Sequence, residues 1–282
     1  MAALTDLSDL INRLTGGNNG APETVFFTKL PYVAGVAATA YTAGRSASLW
    51  TYDGFPARGS APGAGAIPTV STAGAIPFTA STGGRDKQLI SIGLISLIAG
   101  TYLLYDRLYH ISGLSGTSTS DQTIQGPSPS PALTRNTGGA GNIVFYEIYT
   151  AIGGTATTLT MTYTNQAGTG GQTTTIPIGG TGFNGVTRAQ RLGLAAGDSG
   201  VRAVEKIALT ATTGTVGNFG ITIAQPLAWL PIGGSGTSGW RDYTTGLPGI
   251  PVIDNNACLA LMFYPTSSTV TECTGAMTFV EK

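Results

Sequence analysis

From Gly84 to Gly116 the chain reads GRDKQLISIGLISLIAGTYLLYDRLYHISGLSG, and no other stretch stays apolar for so long. A membrane-spanning helix needs about 20 mostly apolar residues. Leu89–Tyr105 is shorter than that, is broken by Ser91, Gly93, Ser96 and Gly100, and ends at Asp106-Arg107. No membrane partner is therefore expected. Two consecutive core strands are, Lys87–Ile98 and Thr101–His110, with the bend at Ala99-Gly100, because strands covered on both faces read as unbroken apolar runs. Leu94, Leu97, Ile98, Thr101, Leu104, Tyr105 and Leu108 also fit a helical period. The β-rich text around the run favours strands.

With 282 residues the chain can build one large β domain or two modest ones. Hydrophobic residues make up 41% and charged residues only 10%, 14 basic against 14 acidic, so the chain can form a core and carries no net charge. Nucleic acid binding needs clustered Lys and Arg, and no such cluster exists, so that partner is not expected. The N-terminus lacks the basic start and apolar core of a secretory signal. Cys258 and Cys273 match no zinc spacing; one disulfide between them is open to the sequence, and two free, half-buried thiols in a reducing cytoplasm are the expectation.

Two regions are expected, an N-terminal helix with an extended docking arm over 1–82 and a β domain over 83–282. Leu7, Leu10, Ile11 and Leu14 recur at helical spacing after Thr5 and Asp6, and Gly16-Gly17 supplies the stop. So short a helix needs a surface to pack on, its own domain or another subunit. Residues 18–82 hold brief apolar pieces, Thr24–Leu30 and Ser48–Tyr52, and two copies of Ala-Gly-Ala-Ile-Pro at 64–68 and 73–77. Such text buries little core by itself, so it reads as an arm carrying partner contacts, with Ile67 and Ile76 among them.

Beyond Gly84 the strand signals accumulate. After a Pro/Ser connector at 126–131, Ile143–Thr150 is apolar on both faces. Thr157–Thr164 alternates, with Leu159, Met161 and Tyr163 on one side, and pairs with Thr173–Ile178 as a hairpin. Arg202–Thr212 with Asn218–Ala224, and Ala257–Tyr264 with Gly275–Glu281, read as two further pairs. The expected fold is all-β, an antiparallel sandwich of jelly-roll type with an extended N-terminal arm.

Catalysis needs a nucleophile with a base, paired carboxylates or metal ligands. The single histidine, His110, is expected as a structural residue at a strand end. Gly180–Gly185 matches G-x-G-x-x-G with Asp198 beyond it, but Val186–Leu192 is a poor helix for a nucleotide site. Asp106-Arg107 and Arg241-Asp242 read as structural pairs or subunit contacts, and Asp254-Asn255-Asn256 lacks the spacing of a calcium loop. No catalytic residue, metal or cofactor is expected.

Four stretches carry a resemblance: Ala99–Leu108 with Ser112–Gly116, Tyr163–Gln166, and Ala196–Arg202. Together they resemble virion structural proteins of tailed bacteriophages, in particular the capsid decoration, or cement, proteins. The resemblance covers about Gly84 to Phe279. It implies a jelly-roll-like domain, a homotrimer, the major capsid protein as partner and no cofactor. It implies a virion location on the capsid exterior after assembly in the host cytoplasm, and it offers no catalytic residues. On this reading Leu7, Leu10, Ile11, Leu14, Ile67 and Ile76 anchor the arm to the shell.

Three rivals stand beside it. Tailed-phage major capsid proteins resemble a fold with a long spine helix, which no stretch here promises. A tail or fibre-tip receptor- or glycan-binding protein would expose loop aromatics, with Trp50, Trp229, Trp240 and Tyr243 the candidates. A hydrolase lacks residues to run it.

Overall fold

The computed structural model describes residues 7–16, 22–38, 40–124, 132–244 and 249–281. Helix α1 (Leu7–Leu14) comes first. Gly16, at φ 74°, ends it in the left-handed conformation that glycine adopts without cost. Strand β1 (Glu23–Lys29) is followed by the two-residue strands β2 (Tyr32–Val33), β3 (Val36–Ala37), β4 (Ala47–Ser48) and β5 (Gly54–Phe55). The apolar run forms β6 (Lys87–Ser96) and β7 (Gly100–Leu114). Next come β8 (Gln122–Thr123), β9 (Ile143–Thr150), β10 (Thr157–Asn165), β11 (Gln172–Ile178), β12 (Ala189–Leu192) and β13 (Val201–Leu209). The last are β14 (Asn218–Ile232), β15 (Thr237–Asp242), β16 (Val252–Ile253), β17 (Leu259–Pro265) and β18 (Cys273–Glu281).

The fold is all-β and its ladders are antiparallel. A first sheet runs β15-β6-β18-β1-β5, with β16 also on β6; a second runs β12-β9-β14-β7-β17-β4; a third runs β11-β10-β13-β8. The order β15, β6, β18, β1 in the first sheet repeats as β14, β7, β17, β4 in the second; β14–β15, β6–β7 and β17–β18 are joined directly in sequence, and β1 reaches β4 through β2 and β3. The chain thus changes sheet at nearly every step. Between β7 and β14, residues 115–217 are inserted, and they carry β9 and β12 into the second sheet and β8, β10, β11 and β13 into the third.

Two cores follow from this winding. Val25, Phe27, Leu89, Ile92, Leu94, Met277 and Phe279 of the first sheet meet Tyr102, Leu104, Leu230, Leu261 and Phe263 of the second. Farther along the same two long strands, Leu108, Ile111, Phe219, Ile221 and Ile223 meet Leu159, Met161, Tyr163, Val204 and Ile207 of the third sheet. Register shifts in the β14–β7 ladder at Ile223/Ala224 and Pro226/Ala228 fall where one core gives way to the other. Bulges of this kind bend a strand and re-aim its side chains.

The opposite face of the second sheet is covered too. Trp50 and Ala75 pack there against Leu103, Tyr105, Phe145, Ala260 and Met262. This second cover explains why β7 is buried along nearly its whole length and why its sequence does not alternate.

β6 and β7 are the expected consecutive strands, and the bend between them is a corner between sheets. Several pairings need correction. Asn218–Ala224 does not pair with Arg202–Thr212, since β13 pairs with β10 and β8 while β14 pairs with β7 and β9. Likewise β17 pairs with β7 and β4, and β18 with β6 and β1. A glycine-rich link marks a reversal without saying whether the returning strand joins the same sheet or the facing one. The β10–β11 hairpin is as expected, pairing Thr157 with Ile178 through to Tyr163 with Gln172. The Pro/Ser connector at 126–131 lies outside the described residues.

Residues 22–82, expected as an arm, are largely built into the body. β1 pairs with β18 along its whole length. Tyr41, Leu49, Tyr52, Ile76 and Phe78 belong to the first core. The two Ala-Gly-Ala-Ile-Pro copies lie along the second sheet, where Ala66 bridges His110 and Ile76 bridges Leu259. Alone, the segment lacks enough apolar residues for a core; laid over a sheet, it completes one.

Candidate functional site

The outer face of the first sheet is the most unusual surface of the molecule. Strand register places its outward residues in three rows: Asp242, Ser91, Thr278, Thr24; Trp240, Gly93, Ala276, Phe26; and Ser238, Ile95, Thr274, Thr28, Phe55. Thr24 and Thr278 share a hydroxyl hydrogen bond of 3.3 Å, and Thr28 and Thr274 one of 3.2 Å. A Cβ on Gly93 would run into the indole of Trp240, so that ring lies flat across the β6 backbone. Phe26 and Trp240 are 68% and 66% exposed, and Phe55 and Ile95 are exposed as well. The only charged side chain among these thirteen is Asp242 at one corner, which accepts hydrogen bonds from the backbone and hydroxyl of Thr244. Single exposed apolar residues are ordinary; here four large ones share one face whose only charge stands at its corner.

The arm residues divide. Ile11 and Leu14 are exposed on α1, which lies near β18, whereas the side chains of Leu7 and Leu10 fall outside the described residues. Ile67 is half-buried against the second core. Ile76 is fully buried, so it cannot meet a partner in the folded chain; its backbone N–H donates to the Leu259 carbonyl at 2.9 Å.

The aromatic candidates divide similarly. Trp50 is buried, its Nε1 donating to the Ser60 carbonyl at 3.0 Å, and is withdrawn as a ligand contact. Tyr243 is 9% exposed and lines an open cleft of about 380 Å³ with Trp229, Tyr264, Arg191 and Arg241. Trp240 stands on the flat face, so of the four aromatic candidates only Trp229 and Tyr243 share a site.

The second sheet carries a buried ionic lock. Arg107 and Glu147 pair through both guanidinium nitrogens, one contact at 3.0 Å and the other shorter, and both are almost wholly buried. Thr222 Oγ1 also donates to Glu147 at 2.7 Å. Arg107 Nε donates to His110 Nδ1 at 2.8 Å, and its guanidinium lies 4.5 Å from the Trp50 ring centroid. Burial pushes Glu147 up, and Arg107 more than offsets it, leaving the carboxyl below its ordinary value. Burial and then the Arg107 charge hold His110 down to about 3, so the imidazole is neutral. Next to it Asp106 receives Arg135 in two bonds of 2.8 and 2.9 Å, and Arg135 also reaches the Pro68 carbonyl at 2.9 Å. Burial nevertheless raises Asp106 above its usual range.

His110 therefore lies inside β7, not at a strand end, and its role is to accept from Arg107. Asp106 and Arg107 do not pair with each other; each has a buried partner from a distant strand or loop, which no local spacing could reveal. The lock holds residues 50–68 against the sheet and performs no evident chemistry.

The remaining motifs are structural. Gly180–Gly185 is a loop leading into β12 with no helix after it, and Asp198 accepts from Tyr163 Oη at 2.6 Å and Asn165 Nδ2 at 2.7 Å. Asp254 accepts the backbone N–H of Asn256 at 2.7 Å, forming a turn. Cys258 and Cys273 are free and buried in different cores, and burial pushes both thiols up to about 12. Among the described residues no cluster of His, Cys, Asp and Glu could hold a metal, and no helix is long and apolar enough to cross a membrane.

No protein-family model and no curated protein matches the sequence. Among solved structures the chain is similar to that of the infectious bursal disease virus Gt strain, with a TM-score of 0.20 and 9% identity over 94% of this chain and 82% of that one. A VP2 subviral particle of the same virus gives 0.20 and 10%, over 93% and 81%. Overlaps this loose carry no argument about fold or function, and both are read from the chain's own strands and surfaces.

Proposed function

We propose that this chain is a non-enzymatic structural protein of a virion, a decoration subunit that docks on the shell through the outer face of its first sheet. The observation that carries the reading is that face: thirteen outward positions with four exposed large apolar side chains, a floor of Gly, Ala, Ser and Thr, and one carboxylate. Shell neighbours bury broad, flat, weakly charged surfaces, and stable contacts of this kind cover on the order of 1,200–2,000 Å². Low charge also limits repulsion between crowded copies. The alternation of strands between two facing sheets is the winding that a jelly roll requires.

Residues 1–16 are proposed as the docking arm, with Ile11 and Leu14 presented by α1 and the major capsid protein as the partner; self-association into a trimer is the finer part of the reading. A role as the shell-forming protein of a tailed phage is less well supported, because the helix among the described residues spans only Leu7–Leu14.

The test replaces Phe26 and Trp240 together by Asp. Both side chains are exposed, so the variant should fold with an unchanged melting temperature and fail to incorporate into particles. Normal incorporation would refute the docking face; normal incorporation after deleting residues 1–16 would refute the arm's share in docking.

A further inference from the structure

The cleft beside β14 has no part in the docking face, and its chemistry is specific. It exists because β9 begins at Ile143, opposite Ala224, while β14 runs on to Ile232. Beyond that point one edge of β14 has no strand partner within its sheet among the described residues. Such an edge ordinarily invites an added strand. Here Pro226 and Pro231 lack the N–H groups that a strand would need, and Arg241 Nη2 already donates to the Trp229 carbonyl at 3.1 Å. An extended peptide is disfavoured, and a small ligand fits better.

What lines the cleft says which one. Trp229 is 47% exposed, and its ring sits 5.4 Å from that of Tyr264, tilted by 45°. Arg191 and Arg241 border the same space with no carboxylate among the lining residues. Arg191 is exposed, and its guanidinium makes no hydrogen bond or ion pair among the described residues. The volume, about 380 Å³, lies in the range of small-molecule sites. Two aromatic faces suit the apolar C–H face of a sugar ring, and a guanidinium suits a carboxylate through two parallel hydrogen bonds.

We propose that this cleft binds a carboxylated sugar, of the sialic or uronic acid class, with the pyranose ring against Trp229 and Tyr264 and the carboxylate on Arg191. Arg241 is already committed to the Trp229 carbonyl; it holds that residue's backbone in place and adds positive potential. The site shares only Trp229 and Tyr243 with the aromatic residues singled out from the sequence, and it stands whether or not the protein decorates a shell.

Saturation-transfer NMR on the full chain tests this, with 3′-sialyllactose and a glucuronic acid disaccharide as probes and lactose as the neutral control. At least one carboxylated probe should receive saturation where lactose does not. Trp229→Ala should abolish the transfer, and Arg191→Gln should weaken binding at least tenfold while leaving the melting temperature unchanged, since both side chains are substantially exposed. No transfer to either acidic probe at millimolar concentration overturns the proposal. So does equal transfer to lactose, or binding that survives Trp229→Ala.

Discussion

Lowering the pH from 7.0 to 5.5 should destabilise the folded chain through its one histidine, His110. His110 is the only histidine, so it alone has an ordinary pKa inside this window. In the unfolded chain it titrates near 6.5; in the fold it is held down to about 3, by burial first and the Arg107 charge second. Between those values the unfolded state binds a proton that the folded state refuses, so stability is present above pH 6.5 and is lost as the pH falls. Linkage gives a loss of about 1.3 kcal/mol between pH 7.0 and 5.5 for a group that stays neutral in the fold. Lys29, lowered to about 8 by burial, loses its proton above the window, which is why the upper limit is 7.0. Asp106, raised by burial, works in the opposite direction and is common to any variant that keeps it. The assay is urea unfolding of the wild type and His110→Gln at both pH values; glutamine retains an acceptor for Arg107 Nε. The wild type should lose about 1.3 kcal/mol more than the variant. Equal losses would mean that His110 is protonated in the fold, and the lock as described would be wrong.

Other outcomes follow from the same packing. Glu147→Gln leaves Arg107 buried without its counter-charge, and removing one partner of a buried pair costs about 3–5 kcal/mol, measurable by the same unfolding assay. Gly220→Ala drives a Cβ into the Ile111 carbonyl oxygen and should cost about 1–3 kcal/mol, with a lowered melting temperature. Cys258 and Cys273, buried and with thiols pushed up to about 12, should resist iodoacetamide at pH 8 in the native state and both label in denaturant, as mass spectrometry would report.

What the sequence disclosed follows the range of the interactions involved. The β10 strand was legible because one of its faces is buried and the other is not, so Leu159, Met161 and Tyr163 alternate with threonines. The α1 helix was legible from its spacing and its glycine stop. Partners across sheets were not legible, because links such as 97–99 and 233–236 look like hairpin turns while acting as corners. The covering role of residues 49–78 was also hidden: Trp50 and Ile76 are isolated apolar residues in polar text, and their burial depends on a sheet formed far along the chain. The docking face is formed by register. Trp240, Gly93, Ala276 and Phe26 become neighbours only once four strands have paired, and no periodicity within any of them shows it. Only the low charge of the whole chain hinted that such a face would exist.

The central claim, a structural role on a virion surface, is tested most directly by counting. Quantitative mass spectrometry of purified particles gives the ratio of this chain to the most abundant shell protein. That ratio should be near one to one, falling to the background level when Phe26 and Trp240 are both replaced by Asp. Absence of the wild-type chain from particles, or a presence unaffected by that double substitution, would contradict it.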